Sequence, residues 1–131
     1  MTRTVVDWVG FRSYNEPMRK GTMELSDEVR HQIRESLEPL RPEKVIVFGS
    51  YAHGEPDGDS DIDLIVVLNS DTVPTTYHER MMNRLLVRRA LDELNRDYAL
   101  DVLVYTRPEW KRFQDSGSAF AREIASQGVE V

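Results

Sequence analysis

The stretch GSYAHGEPDGDSDIDLIVVL, residues Gly49 to Leu68, carries most of the information about the fold. Its second part, Ile62 to Leu68, is an apolar run broken only by Asp63, which is typical of a buried β-strand. A shorter β-branched run, Lys44 to Phe48, ends where the stretch begins and predicts another strand. Only 13 residues, counted from Gly49 to Asp61, separate the two runs. A long crossover helix does not fit there, so the strands can pair antiparallel as readily as parallel.

Helical patterns surround these two strands. Apolar residues recur every three or four positions from Ser26 to the prolines after position 38, which indicates an amphipathic helix. Residues Tyr77 to Leu94 lack glycine and proline and predict a second helix, and Leu100 to Tyr105 predicts a third strand. Thr106 and Glu109 have the spacing of a capping box, which opens a further helix. The pattern predicts an α/β (α+β) chain with a small mixed β-sheet flanked by helices.

Length and composition limit what the chain can be. With 131 residues it is expected to form a single domain over residues 23–131, preceded by an N-terminal extension of unknown role, residues 1–22. No apolar run approaches the roughly 20 residues of a membrane span, and the start lacks a secretory pattern, so we expect a cytoplasmic protein with no membrane partner. The chain has no cysteine and three histidines, so any metal needs oxygen ligands.

The charge balance is acidic, with a formal net charge of -6 and a sequence pI of about 5.1. This argues against direct nucleic-acid binding by the whole surface. Local basic patches stay open, and Arg80, Arg84 and Arg88 recur at four-residue spacing. We predict a solvated helix face for these arginines, and we expect Met81 and Met82 to pack within the same helix.

Acidic residues concentrate before and inside the second strand. Asp61 and Asp63 project from the same side of that strand, where their charges repel unless a cation neutralises them, and Mg²⁺ is the obvious candidate. The turn at Gly49 and Ser50 exposes backbone amides that attract phosphate. If the third strand lies beside the second, Asp101 can reach the same ions. Three carboxylates can hold two magnesium ions about 3.5 to 4 Å apart, which is the apparatus of nucleotidyl transfer.

A calcium-binding loop is the main competing explanation of these acids. An EF-hand loop starting at Asp57 needs glycine at its sixth position and glutamate at its twelfth, where this chain has Ile62 and Leu68. The calcium hypothesis therefore fails. Asp57 and Asp59 are expected to solvate the loop rather than to bind metal.

The combined motif resembles a known family. The runs GSYAHG, DSDIDLIVVL and DVLVY, between Lys44 and about Tyr105, are similar to the minimal nucleotidyltransferase family of the DNA polymerase beta superfamily. The resemblance implies the nucleotidyltransferase fold, with ATP bound as a magnesium complex at the sheet edge. One departure is His53, where the motif commonly has arginine, and histidine is a weaker, pH-dependent phosphate partner.

Residue by residue, the resemblance assigns roles to five positions. Gly49 and Ser50 would bind the nucleotide phosphates, and Asp61 and Asp63 would ligate both Mg²⁺ ions. Asp101 would ligate the catalytic ion and favour deprotonation of the acceptor. These are the predicted catalytic, nucleotide-binding and metal-binding residues.

The resemblance also implies a partner. Small members of the family often act as antitoxins that transfer AMP from ATP to a tyrosine of a HEPN-domain ribonuclease toxin, and this is the function expected here. Two alternatives stay open: a small-molecule nucleotidyltransferase acting on an antibiotic-type hydroxyl, and a non-catalytic antitoxin that acts by occlusion. The acceptor, the preferred nucleotide, the number of nucleotides transferred and a homo-oligomeric state stay open too.

Overall fold

A four-stranded mixed sheet forms the centre of the protein in the computed structural model, which describes residues 25–53 and 61–131. Its strands are β1 (Lys44–Phe48), β2 (Ile62–Val67), β3 (Leu100–Tyr105) and β4 (Val129–Glu130), in the order β3-β2-β1-β4. Strand β1 runs antiparallel to both β2 and β4, whereas β2 and β3 are parallel. The predicted mixed sheet is confirmed. The short β4 strand was not predicted, because two residues leave no periodic pattern.

Helices connect and cover the strands. They are α1 (Asp27–Leu37), a 3-10 turn (Glu38–Leu40), α2 (Tyr77–Ala90), α3 (Leu94–Asp97), α4 (Arg107–Asp115) and α5 (Ala119–Gln127). Ser26 caps α1 by accepting a hydrogen bond from the Val29 amide at 3.2 Å, and the capping box of Thr106 and Glu109 opens α4. The helix predicted from Tyr77 to Leu94 is shorter than expected, since α2 ends at Ala90 and a turn leads into α3. No helix in residues 25–53 and 61–131 is both long and apolar enough to cross a bilayer.

The sheet separates two apolar layers. Alternate residues of β2 (Ile62, Leu64 and Val66) join the layer beneath α1 and α2, while Ile65 and Val67 join the layer beneath α4 and α5. Because side chains alternate along a strand, Asp63 falls on the α4 and α5 side, at the end of that layer. The boundary predicted between residues 22 and 23 lies outside the described residues and stays a prediction.

Candidate active site

A tight turn follows β1 at Gly49, whose φ angle is +77°. The Ala52 amide donates to the Gly49 carbonyl at 3.1 Å, and the His53 amide donates to the Ser50 carbonyl at 3.2 Å. Ala52 is buried, and Tyr51 packs edge-on against Tyr98 with 6.1 Å between the ring centroids. These contacts anchor the turn to the layer beneath α1 and α2.

Gly49 lies directly against the carboxylate of Asp63. Phe48 and Asp63 are partners in the antiparallel β1–β2 ladder, so the turn begins beside this acid. A Cβ atom placed on Gly49 would overlap Asp63 Oδ2, so a side chain at position 49 would force this carboxylate to move. Glycine is therefore favoured at position 49 for two reasons: it adopts the positive φ angle without strain, and it leaves the Asp63 carboxylate in place.

Three carboxyl groups meet at this end of the sheet. Asp63 is the register partner of Asp101 in the parallel β2–β3 ladder, and Asp61 directly precedes β2, two residues before Asp63. The pKa of Asp63 is raised, first by burial and then by the negative charges of Asp101 and Asp61. Asp61 and Asp101 are exposed, and Asp63 is half-buried between them and Gly49.

The cluster is acidic without a basic partner. Among the described residues, no lysine, arginine or histidine forms an ion pair with Asp61, Asp63 or Asp101. Carboxylate oxygens are the donors that Mg²⁺ prefers, so the donor set fits a hard divalent cation. In residues 25–53 and 61–131, however, no three acidic or histidine side chains form a ready metal-binding group. The two magnesium ions therefore stay a prediction.

The predicted site residues lie at one end of the sheet. Gly49, Asp61, Asp63 and Asp101 come together, and Ser50 follows Gly49 within the same turn. The half-buried side chain of His53 belongs to that turn as well. The loop acids at positions 57 and 59, predicted to be solvated, lie outside the described residues.

A cavity of about 830 Å³ adjoins the cluster on the outer side of β3. Asp101 is the member of the acid cluster that lines it, and its other walls are β3 and helix α2. Arg80, Arg84 and Arg88, predicted to form a solvated face, are exposed and line this cavity. Sequence reasoning did not foresee the cavity, although the four-residue arginine spacing was its visible signal.

Comparisons with known proteins found one matching family, whose match covers part of this site. Residues 28–89 match the family described as Nucleotidyltransferase domain. The matched segment contains Gly49, Ser50, Asp61 and Asp63 and ends before Asp101. The role of Asp101 stays a prediction, which its register beside Asp63 supports and the family match does not reach.

Two individual proteins are similar to this chain. A protein of Methanocaldococcus jannaschii named "Putative protein adenylyltransferase MJ0141" is 28% identical over 89 residues, which are 68% of this chain and 78% of that protein. A chain in the crystal structure of a toxin-antitoxin MntA-HpeT mutant is 20% identical, with a TM-score of 0.46, and the match covers 82% of this chain and 72% of that one. The family match confirms the predicted class of enzyme, a nucleotidyltransferase.

Proposed function

We propose, from the premise that residues 28–89 belong to a nucleotidyltransferase domain, that this protein transfers AMP from ATP to a hydroxyl group of another protein. The acceptor we propose is a tyrosine of a HEPN-domain toxin, which the modification would neutralise in the cytoplasm. The protein would then be the antitoxin of a pair. The archaeal relative, whose name describes a protein adenylyltransferase, supports a protein as the acceptor.

One observation carries the proposal. The carboxylate of Asp63 lies between the Gly49 turn and Asp101, so the turn that we propose to bind phosphate and two acids share one end of the sheet. Nucleotidyl transfer needs this arrangement, because the phosphates and the attacking hydroxyl must approach the same cations. Burial, and after it the negative charges of Asp101 and Asp61, raise the pKa of Asp63, and a bound cation would relieve the repulsion among these charges.

The reaction assigns a task to each residue. In the transfer, the acceptor oxygen bonds to the α-phosphorus of ATP, the bond from that phosphorus to pyrophosphate breaks, and the hydroxyl proton leaves the acceptor. Gly49 and Ser50 would hold the phosphates with backbone amides and a hydroxyl. Asp101 would orient the acceptor hydroxyl and favour loss of its proton. Two Mg²⁺ ions held by Asp61, Asp63 and Asp101 would activate the hydroxyl and stabilise the leaving pyrophosphate.

A labelling experiment tests the proposal. The purified full-length protein is incubated with Mg²⁺, ATP labelled on the α-phosphate and the partner that co-purifies from its native host. We expect label on the partner with wild-type protein and with Asp115→Asn, an exposed acid on α4. We expect none with Asp63→Asn.

The alternatives give other results. Transfer of label only to small hydroxylic compounds would replace the protein acceptor with an antibiotic-type one. Inhibition of the partner by Asp63→Asn, with no label from any variant, would show occlusion without catalysis and would overturn the proposal.

A further inference from the structure

Strand β3 has an open edge that leads to the acid cluster. It is the outermost strand on its side of the sheet, and no strand among the described residues pairs with it there. The Ile62 amide donates to the Ala99 carbonyl and the Leu68 amide to the Tyr105 carbonyl, so odd-numbered residues of this segment face β2. Along a strand, the backbone N–H and C=O groups of successive residues point alternately to one neighbouring strand and to the other. The amides and carbonyls of Leu100, Val102 and Val104 therefore point toward the cavity, away from β2.

Helix α2 faces this edge with a row of like charges. Arg80, Arg84, Arg88 and Arg89 all line the cavity, and no ion pair within the described ranges neutralises the last three. Arginines four residues apart on a helix repel one another, which lowers helix stability. Residues that lower stability locally are expected at functional sites. An external anion would relieve this repulsion.

The acids in the same cavity do not cancel the arginine row. Asp101 belongs to the acid cluster, and the carboxylate of Glu109 accepts a hydrogen bond from the Thr106 amide at 2.9 Å within the capping box of α4. Asp92 lies just beyond the end of α2. The α2 wall therefore keeps its positive charge, while the cavity is also lined by Asp101, the residue proposed to orient the acceptor hydroxyl.

We propose that this cavity binds an extended acidic segment of the acceptor protein as an additional strand on β3. The segment would hydrogen-bond to the outward backbone groups of Val102 and Val104, and its acidic side chains would contact Arg84 and Arg88. Its hydroxyl residue would then lie beside Asp101. The last step depends on the proposed function, whereas the docking itself does not.

Two features favour a polypeptide over other occupants. The open backbone groups of β3 match the hydrogen-bonding spacing of a second strand, which a nucleic acid lacks. Residues 1–22 of this chain carry four arginine or lysine residues against two acids, so their charge opposes binding to an arginine-lined wall. An acidic segment from another protein has the complementary charge.

Hydrogen exchange with the full-length protein tests the docking directly. The probe is a short synthetic peptide in which glutamate and valine alternate around one tyrosine. We expect the amides of Leu100, Val102 and Val104 to exchange fast in the free protein, and those of Val102 and Val104 to slow on peptide addition. The β2-facing amides of Asp101, Leu103 and Tyr105 should be slow in both states. Protection of Val102 and Val104 in the free protein would show that the chain covers its own edge and would overturn the proposal.

Substitutions separate backbone pairing from charge. Val104→Pro removes an outward donor, which an edge strand tolerates, and should weaken peptide binding. Arg84→Glu with Arg88→Glu should weaken it on the order of tenfold. The matched control, Arg112→Glu with Arg122→Glu, makes the same charge change on exposed residues outside the cavity and should leave binding unchanged. Should Val104→Pro fail to fold, the same peptide methylated on alternate backbone nitrogens tests the pairing with wild-type protein.

The outcomes distinguish docking from catalysis. Peptide binding that persists in Asp63→Asn and protects Val102 and Val104 supports the inference even if no AMP is transferred. AMP transfer to the native partner that is unaffected by Val104→Pro and by the α2 charge reversal would disprove the inference and leave the proposed function intact. Tighter binding of a single-stranded oligoribonucleotide than of the peptide, without protection of β3 amides, would assign the cavity to RNA and would also disprove it.

Discussion

Gly49 and Asp63 are sterically coupled: the carboxylate of Asp63 occupies the space where any side chain at position 49 would begin. A Cβ atom there would overlap Asp63 Oδ2. The position of the turn after β1 and that of the Asp63 carboxylate on β2 therefore depend on each other. A change in the turn must move the carboxylate.

Gly49→Ala should therefore damage activity more than stability. The positive φ angle costs about 1–2 kcal/mol for alanine, and a displacement of Asp63 by about 1 Å can reduce the rate about 100-fold. Gly117→Ala is the matched control, because Gly117 has a φ angle of +67° with no atom within 4 Å of an added Cβ. Urea unfolding should show a similar loss of stability in both variants. The AMP-transfer assay should show a loss of activity only in Gly49→Ala. Equal transfer in the two variants would refute the coupling.

In the absence of metal ions, Asp63 should make the free energy of unfolding depend on pH. Its pKa is higher in the folded than in the unfolded protein, so the folded state binds more protons and its contribution to stability is lost as pH rises through the acidic range. Asp63→Asn removes this term and should raise the free energy of unfolding at neutral pH slightly, by less than about 1 kcal/mol.

Urea unfolding in a chelator, at a series of pH values from about 4 to about 7, measures the difference between the two proteins. Addition of Mg²⁺ should reverse the order, because only wild type gains stability from cation binding at this position. A difference between the proteins that stays constant with pH would contradict the assignment.

Asp101→Asn should separate acceptor chemistry from nucleotide binding. Asp101 lies at the cavity while Gly49 and Ser50 lie in the turn, so the variant should lose transfer by about 100-fold or more with a small change in ATP affinity. Rapid-quench transfer assays and calorimetric ATP titrations provide the two values. Asp92→Asn changes an acid of the same cavity that does not belong to the acid cluster, and it should retain transfer.

His53→Arg should tighten ATP binding. His53 belongs to the Gly49 turn, and an arginine there can bind phosphate bidentately and stays charged at every working pH. Calorimetric titration of both proteins with Mg-ATP tests this. An unchanged affinity would place His53 away from the phosphates.

Much of the fold was predictable because its signals are local. The strands β1 and β3 have the predicted bounds, Lys44–Phe48 and Leu100–Tyr105, because short β-branched runs end at glycine or at a cap. The capping box of Thr106 and Glu109 was equally visible. Such signals depend on residues a few positions apart.

Features that depend on strand pairing were not predictable. The antiparallel pairing of β1 with β2 and the pairing of the C-terminal Val129–Glu130 with β1 require contacts between distant residues. Met81 and Met82, expected to pack within their helix, are 40% and 47% exposed, because α2 buries only a narrow face against its neighbours. The roles of Gly49, Ser50 and the three acids remain predictions, although the geometry now gives them specific tests.

The aromatic stack at the far end of β3 supplies an optical probe. Trp110 lies 5.8 Å from the ring of Tyr105 and 5.4 Å from that of Phe113, and Tyr105 ends the open-edge strand. The chain has one other tryptophan, Trp8, so a Trp8→Phe background leaves a single emitter. Changes in its emission wavelength or quenching would then follow occupancy of the neighbouring strand in real time, with no dye attached.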